Sequence, residues 1–188
     1  TRLSRGYNIQ EEFLGSTASS SGIQCGTGGG SGNFSASYSW TCYDGGGATT
    51  GGATVVEADS YQRPGQVQFS TGANAAGNVS TYLTGGSAPG FIIGGGESFE
   101  TAVNIPTLST GAQTYIIRAG LCDVNDHATD CSNGVYFEYS SASSANWRIN
   151  TAKANTQTKT SSSKAVATGW TNLKWVATSA TNIDFYVK

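Results

Sequence analysis

The 188-residue chain has little charge, little proline and a single histidine, and each shortage excludes a class of protein. Only 12% of its residues are charged, against about 25% in ordinary globular domains, so hydroxyls and amides must provide much of its hydration. No apolar run approaches the roughly 20 residues that span a bilayer, and Thr1–Gly15 lacks the apolar segment of a signal peptide. The lysines are dispersed, so we expect neither membrane insertion nor nucleic-acid binding.

Glycine, serine and threonine take the place of helix-forming residues. The chain has 26 Gly and only 3 Pro, a composition that favours turn-rich β structure. Five strand-like runs follow one another in residues 134–188, and each alternates apolar or aromatic residues with polar ones. The sequence therefore predicts an all-β fold, an antiparallel β-sandwich. The same alternation predicts that Trp147, Trp170 and Trp175 occupy core positions.

The glycine-rich loops at 26–32, 45–52 and 94–96 are not phosphate-binding loops. A phosphate loop needs a following helix whose N-terminus holds the phosphate, and none of the three leads into helical periodicity or a Gly-Lys-Ser/Thr motif. We expect these glycines to form turns between strands.

The order of the strand-like runs resembles one known group. GVYFEY, a Trp-x-Ile strand, a Thr-rich strand, a Trp-x-x-Leu strand and Phe-Tyr-Val follow one another, and EFLG at 12–15, QVQFSTG at 66–72 and IPTLST at 105–110 fit upstream. This pattern resembles the concanavalin A-like (laminin-G-like) jelly-roll domains of tailed-phage virion proteins. The resemblance implies a jelly roll, and it implies a further strand beyond Phe-Tyr-Val that is missing here or supplied by a neighbouring subunit.

We expect a polar N-terminal arm at residues 1–10 and a single β-sandwich domain at residues 11–188, because no linker or repeat divides the chain. Charge is unevenly spread along it. Residues 1–140 hold 4 basic and 11 acidic side chains and residues 141–188 hold 6 basic and 1 acidic, which gives −7 and +5 and reproduces the net charge of −2. This polarity is either a surface without function or a complementary contact between subunits.

Four cysteines form two local pairs, Cys25 with Cys42 and Cys122 with Cys131. Structural zinc sites favour Cys-x(2–4)-Cys spacings, and neither pair has one. We therefore predict two local disulfides, although three connectivities exist in principle. Four reduced thiols in a reducing compartment are the alternative.

The loop between Cys122 and Cys131 is the densest group of oxygen ligands in the chain. It holds Asp123, Asn125, Asp126 and Asp130, and calcium takes six to eight such oxygens in flexible geometry. Laminin-G-like sandwiches often carry calcium at a loop rim, so calcium is the one cofactor that the sequence suggests. Asp and Asn are also ordinary turn residues, and turn chemistry alone is the other interpretation.

Catalysis is not expected. A catalytic triad would have to use the only histidine, His127, but the sequence has no Gly-x-Ser-x-Gly or other nucleophile motif. The glucanases that share the concanavalin A-like fold use a Glu-x-Asp-x-x-Glu arrangement, with two carboxylates about 5–5.5 Å apart on one strand face. The nearest pair here, Glu97 and Glu100, has an odd spacing that places the two on opposite faces of a strand.

The resemblance implies a structural virion protein, a capsid decoration (cement) or head-fibre subunit that binds the assembled shell. The expected partners are copies of itself, as a trimer, and the major capsid or other virion proteins. Such a protein is assembled in the host cytoplasm and exposed on the released particle. We predict assembly contacts at Arg2 and Arg5 in the arm and at Asp184 and Lys188 on the C-terminal edge strand. The alternative is a tail-fibre module that binds a host-surface glycan.

Overall fold

The computed structural model describes residues 31–33, 40–45, 52–56, 66–70, 78–83, 93–112, 114–123 and 130–188. Every regular element in these ranges is a β-strand, and none of them contains a helix long and apolar enough to cross a membrane. The chain divides into two compact units, Thr1–Ala88 and Pro89–Lys188. The all-β fold predicted from the alternation is confirmed.

The first unit contributes five described strands. They are β1 (Ser31–Asn33), β2 (Trp40–Gly45), β3 (Gly52–Val56), β4 (Gln66–Ser70) and β5 (Asn78–Leu83). One antiparallel sheet has the order β1-β2-β5, and β3 pairs separately with β4. The predicted arm at residues 1–10 lies outside the described residues.

The second unit is a seven-stranded antiparallel β-sandwich. Its strands are β6 (Ser98–Ile105), β7 (Ile116–Cys122), β8 (Gly134–Ser140), β9 (Ser144–Lys153), β10 (Thr156–Ala165), β11 (Gly169–Ala177) and β12 (Ile183–Val187). The four-stranded sheet has the order β10-β9-β8-β7, and the three-stranded sheet has the order β12-β11-β6. That one domain spans residues 11–188, and that it is a jelly roll, stay predictions.

Aromatic side chains join the two sheets of the second unit. Phe137 on β8 meets Phe185 on β12 edge to face, with ring centroids 5.4 Å apart. Trp147 is fully buried, and Trp175 stacks on Phe99 of the neighbouring strand at 6.2 Å. Large aromatic groups bury more apolar surface than any other side chain, so these contacts dominate the stability of the sandwich.

The predicted core position of Trp170 is wrong. Trp170 is only partly buried, whereas Leu173 and Trp175 on the same strand are buried. Side chains alternate along a strand, so a residue three positions from Leu173 belongs to the opposite face. Trp170 therefore lies on the outer face of the three-stranded sheet, and its cross-strand neighbour there is Asn104.

Two local conformations fix the register of the four-stranded sheet. The β9–β10 hairpin turns through Ala154 and Asn155, both with positive φ, as in the two-residue turns that match strand twist. On β7, Gly120 has φ +147°, and a Cβ there would lie 2.4 Å from the carbonyl oxygen of Val135. Glycine allows β7 and β8 to approach this closely.

Candidate functional site

A row of charged side chains crosses the outer face of the four-stranded sheet. Arg118 on β7, Glu138 on β8 and Arg148 on β9 are direct cross-strand partners. The alternation that sends Phe137 and Tyr139 into the core sends Glu138 to this other face. The register thus brings two guanidinium groups to one carboxylate.

The carboxylate of Glu138 is shared between the two arginines. Arg118 Nε donates to one oxygen at 3.0 Å, and Arg148 Nη1 donates to the other at 3.0 Å. The Glu138 side chain is only 3% exposed. A carboxylate so deeply buried is stable only when paired, because burial removes its hydration. Both of its oxygens are engaged, so Glu138 holds the arginines in place.

Asp130 extends the row toward β10. Its carboxylate accepts from Arg118 Nη2 at 2.9 Å and from Lys159 Nζ at 2.5 Å. The hydrogen bond from Lys159 lowers the pKa of Asp130, although partial burial opposes the shift. The resulting chain of ion pairs, which we call the charged row, runs Arg148–Glu138–Arg118–Asp130–Lys159. It has three cations and two carboxylates among the described residues.

Two buried polar side chains lie beside the charged row. Tyr136 and Asn150 are cross-strand partners on β8 and β9, and each is 1% exposed. Among the described residues, the Tyr136 hydroxyl and both polar atoms of the Asn150 amide have no hydrogen-bond partner. Burial raises the pKa of Tyr136, and the negative charge of Asp130 adds to the shift. The guanidinium carbon of Arg118 lies 5.9 Å from the centroid of the Tyr136 ring.

The sequence interpretation missed the charged row. Simple alternation assigns Tyr136 and Glu138 to a solvent face, yet every residue of β8 from Val135 to Ser140 is buried. One signal was available: in a chain with so few charges, Arg118, Glu138 and Arg148 each occupy the middle of a strand. Their meeting depends on strand register, which spacing along the chain does not provide.

The predicted calcium loop is described in part. Asp123 accepts from the Ser132 backbone N–H and from Asn133 Nδ2, both at 2.9 Å. Partial burial acts to raise the pKa of Asp123, but hydrogen bonds from Asn133 and Ser132 lower it overall. Asn125 and Asp126 lie outside the described residues. No group of three or more His, Cys, Asp or Glu residues that could hold a metal occurs in the described part of the chain, and calcium binding stays a prediction.

One of the two predicted disulfides is present. Cys122 and Cys131 are bonded, with Cα atoms 5.4 Å apart, and the bond closes the loop between β7 and β8. It also fixes the residue next to Asp130, so it helps to orient the Asp130 carboxylate toward Arg118. Cys25 lies outside the described residues, and its pairing with Cys42 stays a prediction.

The nearest carboxylate pair is separated in the structure. Glu97 precedes β6, and its carboxylate accepts from the backbone N–H groups of Gly94 and Gly95 at 3.1 and 2.8 Å. Backbone hydrogen bonds, including those from these glycines, lower the pKa of Glu97. Glu100 on β6 instead pairs with Lys174 on β11 at 3.1 Å. Each carboxylate has its own partner, and the geometry supports structural roles for both.

The second candidate site is the edge strand β12. Among the described strands it pairs with β11 alone, so it forms one border of its sheet in that part of the chain. Ile183, Phe185 and Val187 pack against the core, whereas Asp184 and Lys188 are exposed. Tyr186 lies between the two charges along the strand and is 44% exposed. The predicted C-terminal contact residues thus share one exposed face, whereas Arg2 and Arg5 lie outside the described residues.

Comparison with known proteins gives one family. Residues 62–188 match the family described as SO2946-like, C-terminal domain. No curated protein and no solved structure matches the chain. Because the match covers more than half of the sequence, this chain belongs to the family of SO2946-like C-terminal domains.

Proposed function

We propose that this protein is a structural subunit of a virus particle, a capsid decoration or head-fibre protein that binds the assembled shell without catalysis. The observation that carries the proposal is the edge of β12, which pairs with β11 alone among the described strands, beside an exposed outer face of its sheet. An unpaired edge offers a row of backbone donors and acceptors to another strand, and soluble domains usually protect such edges. The sandwich fold agrees with the resemblance to virion jelly rolls.

The edges of the two sheets differ in how they are protected. On β10, an edge of the four-stranded sheet, Lys159 and Lys164 supply charge, and the register shifts between Ser161 and Ala165. Lysines and bulges of this kind discourage pairing with another chain. The β12 ladder runs without a shift from Ile183 to Val187, so β12 is the better surface for strand pairing.

Particle composition tests the proposal. Virions of the virus that encodes the chain would be purified, and the chain would be quantified by mass spectrometry against the major capsid protein. We expect a copy number in proportion to the capsid protein. Absence from the particles would contradict a virion role, and a few copies per particle would favour a fibre tip over a decoration subunit.

Two variants locate the attachment. Deletion of residues 1–10 tests the arm: we expect a folded domain that no longer incorporates into particles. Val187→Pro removes an outward N–H from the edge, and Val187→Ala is the control that keeps this N–H while losing more apolar bulk than the proline variant. Full occupancy by both the arm deletion and Val187→Pro would exclude these contacts.

The second candidate function is glycan binding by a receptor module. It is favoured by one observation, the exposed Tyr186 ring on the outer face, next to Lys174 and, beyond it, Glu100 in cross-strand register. Exposed aromatic rings with polar neighbours are a suitable platform for a sugar. Binding to host polysaccharide that Tyr186→Ala abolishes, with no incorporation into particles, would favour this function over the structural one.

A further inference from the structure

Among the described strands β12 pairs only with β11, and the hydrogen bonds between the two show which backbone groups of β12 point away from β11. Asn172 N–H donates to the Lys188 carbonyl at 2.8 Å, and Lys188 N–H donates to the Asn172 carbonyl at 2.9 Å. In an antiparallel ladder such doubly bonded pairs alternate with pairs that exchange no hydrogen bond. Tyr186 and Asp184, two and four residues before Lys188, therefore also direct their backbone groups toward β11.

The intervening residues face the other way. Ile183, Phe185 and Val187 direct their N–H and C=O groups away from β11, toward the open edge. Their side chains pack against the core. A strand that pairs here would meet the backbone groups of these three residues, while its neighbours on the exposed face would be Asp184, Tyr186 and Lys188.

We propose that β12 pairs antiparallel with β12 of a second copy of this chain, about a two-fold axis that passes beside Tyr186. In this register Phe185 forms hydrogen-bonded pairs with Val187 of the second copy, as the direction of the open groups requires. Tyr186 faces its own equivalent. Asp184 faces Lys188 of the second copy, and the symmetry repeats this ion pair. The three-stranded sheets of two copies then form one continuous six-stranded sheet.

The charged side chains favour this register over those in which the two-fold axis is shifted along β12. A shift that centres the axis on Asp184 places two carboxylates opposite each other, which is destabilising in a cross-strand pair. A shift that centres it on Phe185 places Asp184 opposite Tyr186 and leaves Lys188 opposite Asn182. Only the register centred on Tyr186 gives both Asp184 and Lys188 a partner of opposite sign. The strand edge is then complementary to itself, as an isologous dimer requires.

This inference rests on the proposed function only for the assignment of β12 as a contact edge, and it is tested on the purified chain without particles. Sedimentation equilibrium would measure the dissociation constant of the wild type and of charge variants. We expect a dimer of the 19.3 kDa chain. Asp184→Lys and Lys188→Asp should each weaken it about tenfold, because each replaces two attractive cross-strand pairs with two repulsive ones.

The double variant D184K/K188D is the decisive control, because it restores both ion pairs with the charges exchanged. We expect its dissociation constant to return close to that of the wild type. Both exchanged positions are exposed, and circular dichroism would confirm that each variant is folded. A wild-type chain that stays monomeric, a trimer of the kind the sequence analysis expects, or a double variant as weak as the single ones would overturn the proposal.

A cysteine at the axis gives a second readout. Tyr186→Cys would place two thiols at a pair whose Cα atoms lie about 4.5 Å apart, within the range that a disulfide spans. We expect a covalent dimer on a non-reducing gel. Asn104→Cys, exposed on β6 and away from the axis, is the matched control and should stay monomeric on the gel. Equal cross-linking of both variants would contradict the register.

The outcomes separate this inference from the proposed function. A chain that is monomeric in solution but decorates particles at full occupancy would overturn the strand pairing and leave the structural role intact. A chain that dimerises as described but is absent from virions would overturn the virion role and leave the pairing intact.

Discussion

The polar side chains on the outer faces of the two sheets differ in burial and in ion pairing. On the four-stranded sheet, the partly buried Arg118 and Arg148 both bind the buried carboxylate of Glu138. On the three-stranded sheet, Glu100 and Lys174 form a single pair in which both side chains are largely exposed. The difference indicates that the first face contributes to the stability of the fold, whereas the second face is more exposed and, among the described strands, its edge strand β12 pairs with β11 alone.

The largest expected effect is the loss of the carboxylate at the centre of the charged row. Glu138→Ala leaves two partly buried guanidinium groups without their shared partner, and breaking a buried pair in this way costs about 3–5 kcal/mol. Urea unfolding measures the change. Glu138→Gln is the matched control, since it keeps the shape and one acceptor oxygen, and we expect a smaller loss. A cost below about 1 kcal/mol for Glu138→Ala would mean that this face is no more stabilising than an ordinary surface.

The next effect concerns the disulfide beside the charged row. Replacing both Cys122 and Cys131 with serine removes a closed loop of about ten residues, and loop-closure entropy predicts a loss of about 2–3 kcal/mol. Because Asp130 is adjacent to Cys131, the loss should be smaller when Asp130 is already replaced by asparagine. Thermal unfolding of the variants would measure both changes. Strictly additive losses would show that the disulfide does not orient Asp130.

Acid should weaken the four-stranded face through Asp123 and Asp130. Both pKa values lie below the ordinary range in the folded protein. The stability that these carboxylates provide is therefore complete above the unfolded pKa of about 4 and is lost as pH falls through the lower folded value. We expect a contribution on the order of 1 kcal/mol from Asp130, because solvent screens its partly exposed ion pairs. Unfolding midpoints from pH 7 to pH 2 would measure it, and Asp130→Asn should flatten the acid dependence.

The sequence was sufficient for the strands and for part of the core. Alternation alone places Trp147 and Trp175 correctly, because each shares its face with an apolar residue two positions away. It fails for Trp170, whose spacing to Leu173 is odd. Loop composition also does not show that β7 and β10 present Arg118 and Lys159 to the Asp130 carboxylate, whereas calcium binding by this loop stays a prediction. Those partners follow from strand register and loop closure, which are long-range properties of the fold.

The smallest expected effect is on the exposed pair of the three-stranded sheet, and it completes the comparison. The Glu100 and Lys174 side chains are 64% and 43% exposed, so solvent screens their attraction, and surface pairs of this kind contribute about 0.2–1 kcal/mol. A double-mutant cycle with Glu100→Ala and Lys174→Ala should therefore give a coupling energy below about 0.5 kcal/mol. The same cycle on Glu138 and Arg148 should give several times that value, because both partners are largely removed from water. Equal coupling energies in the two cycles would show that burial does not distinguish the faces, and the outer face of the three-stranded sheet would then have to be counted among the stabilising parts of the fold.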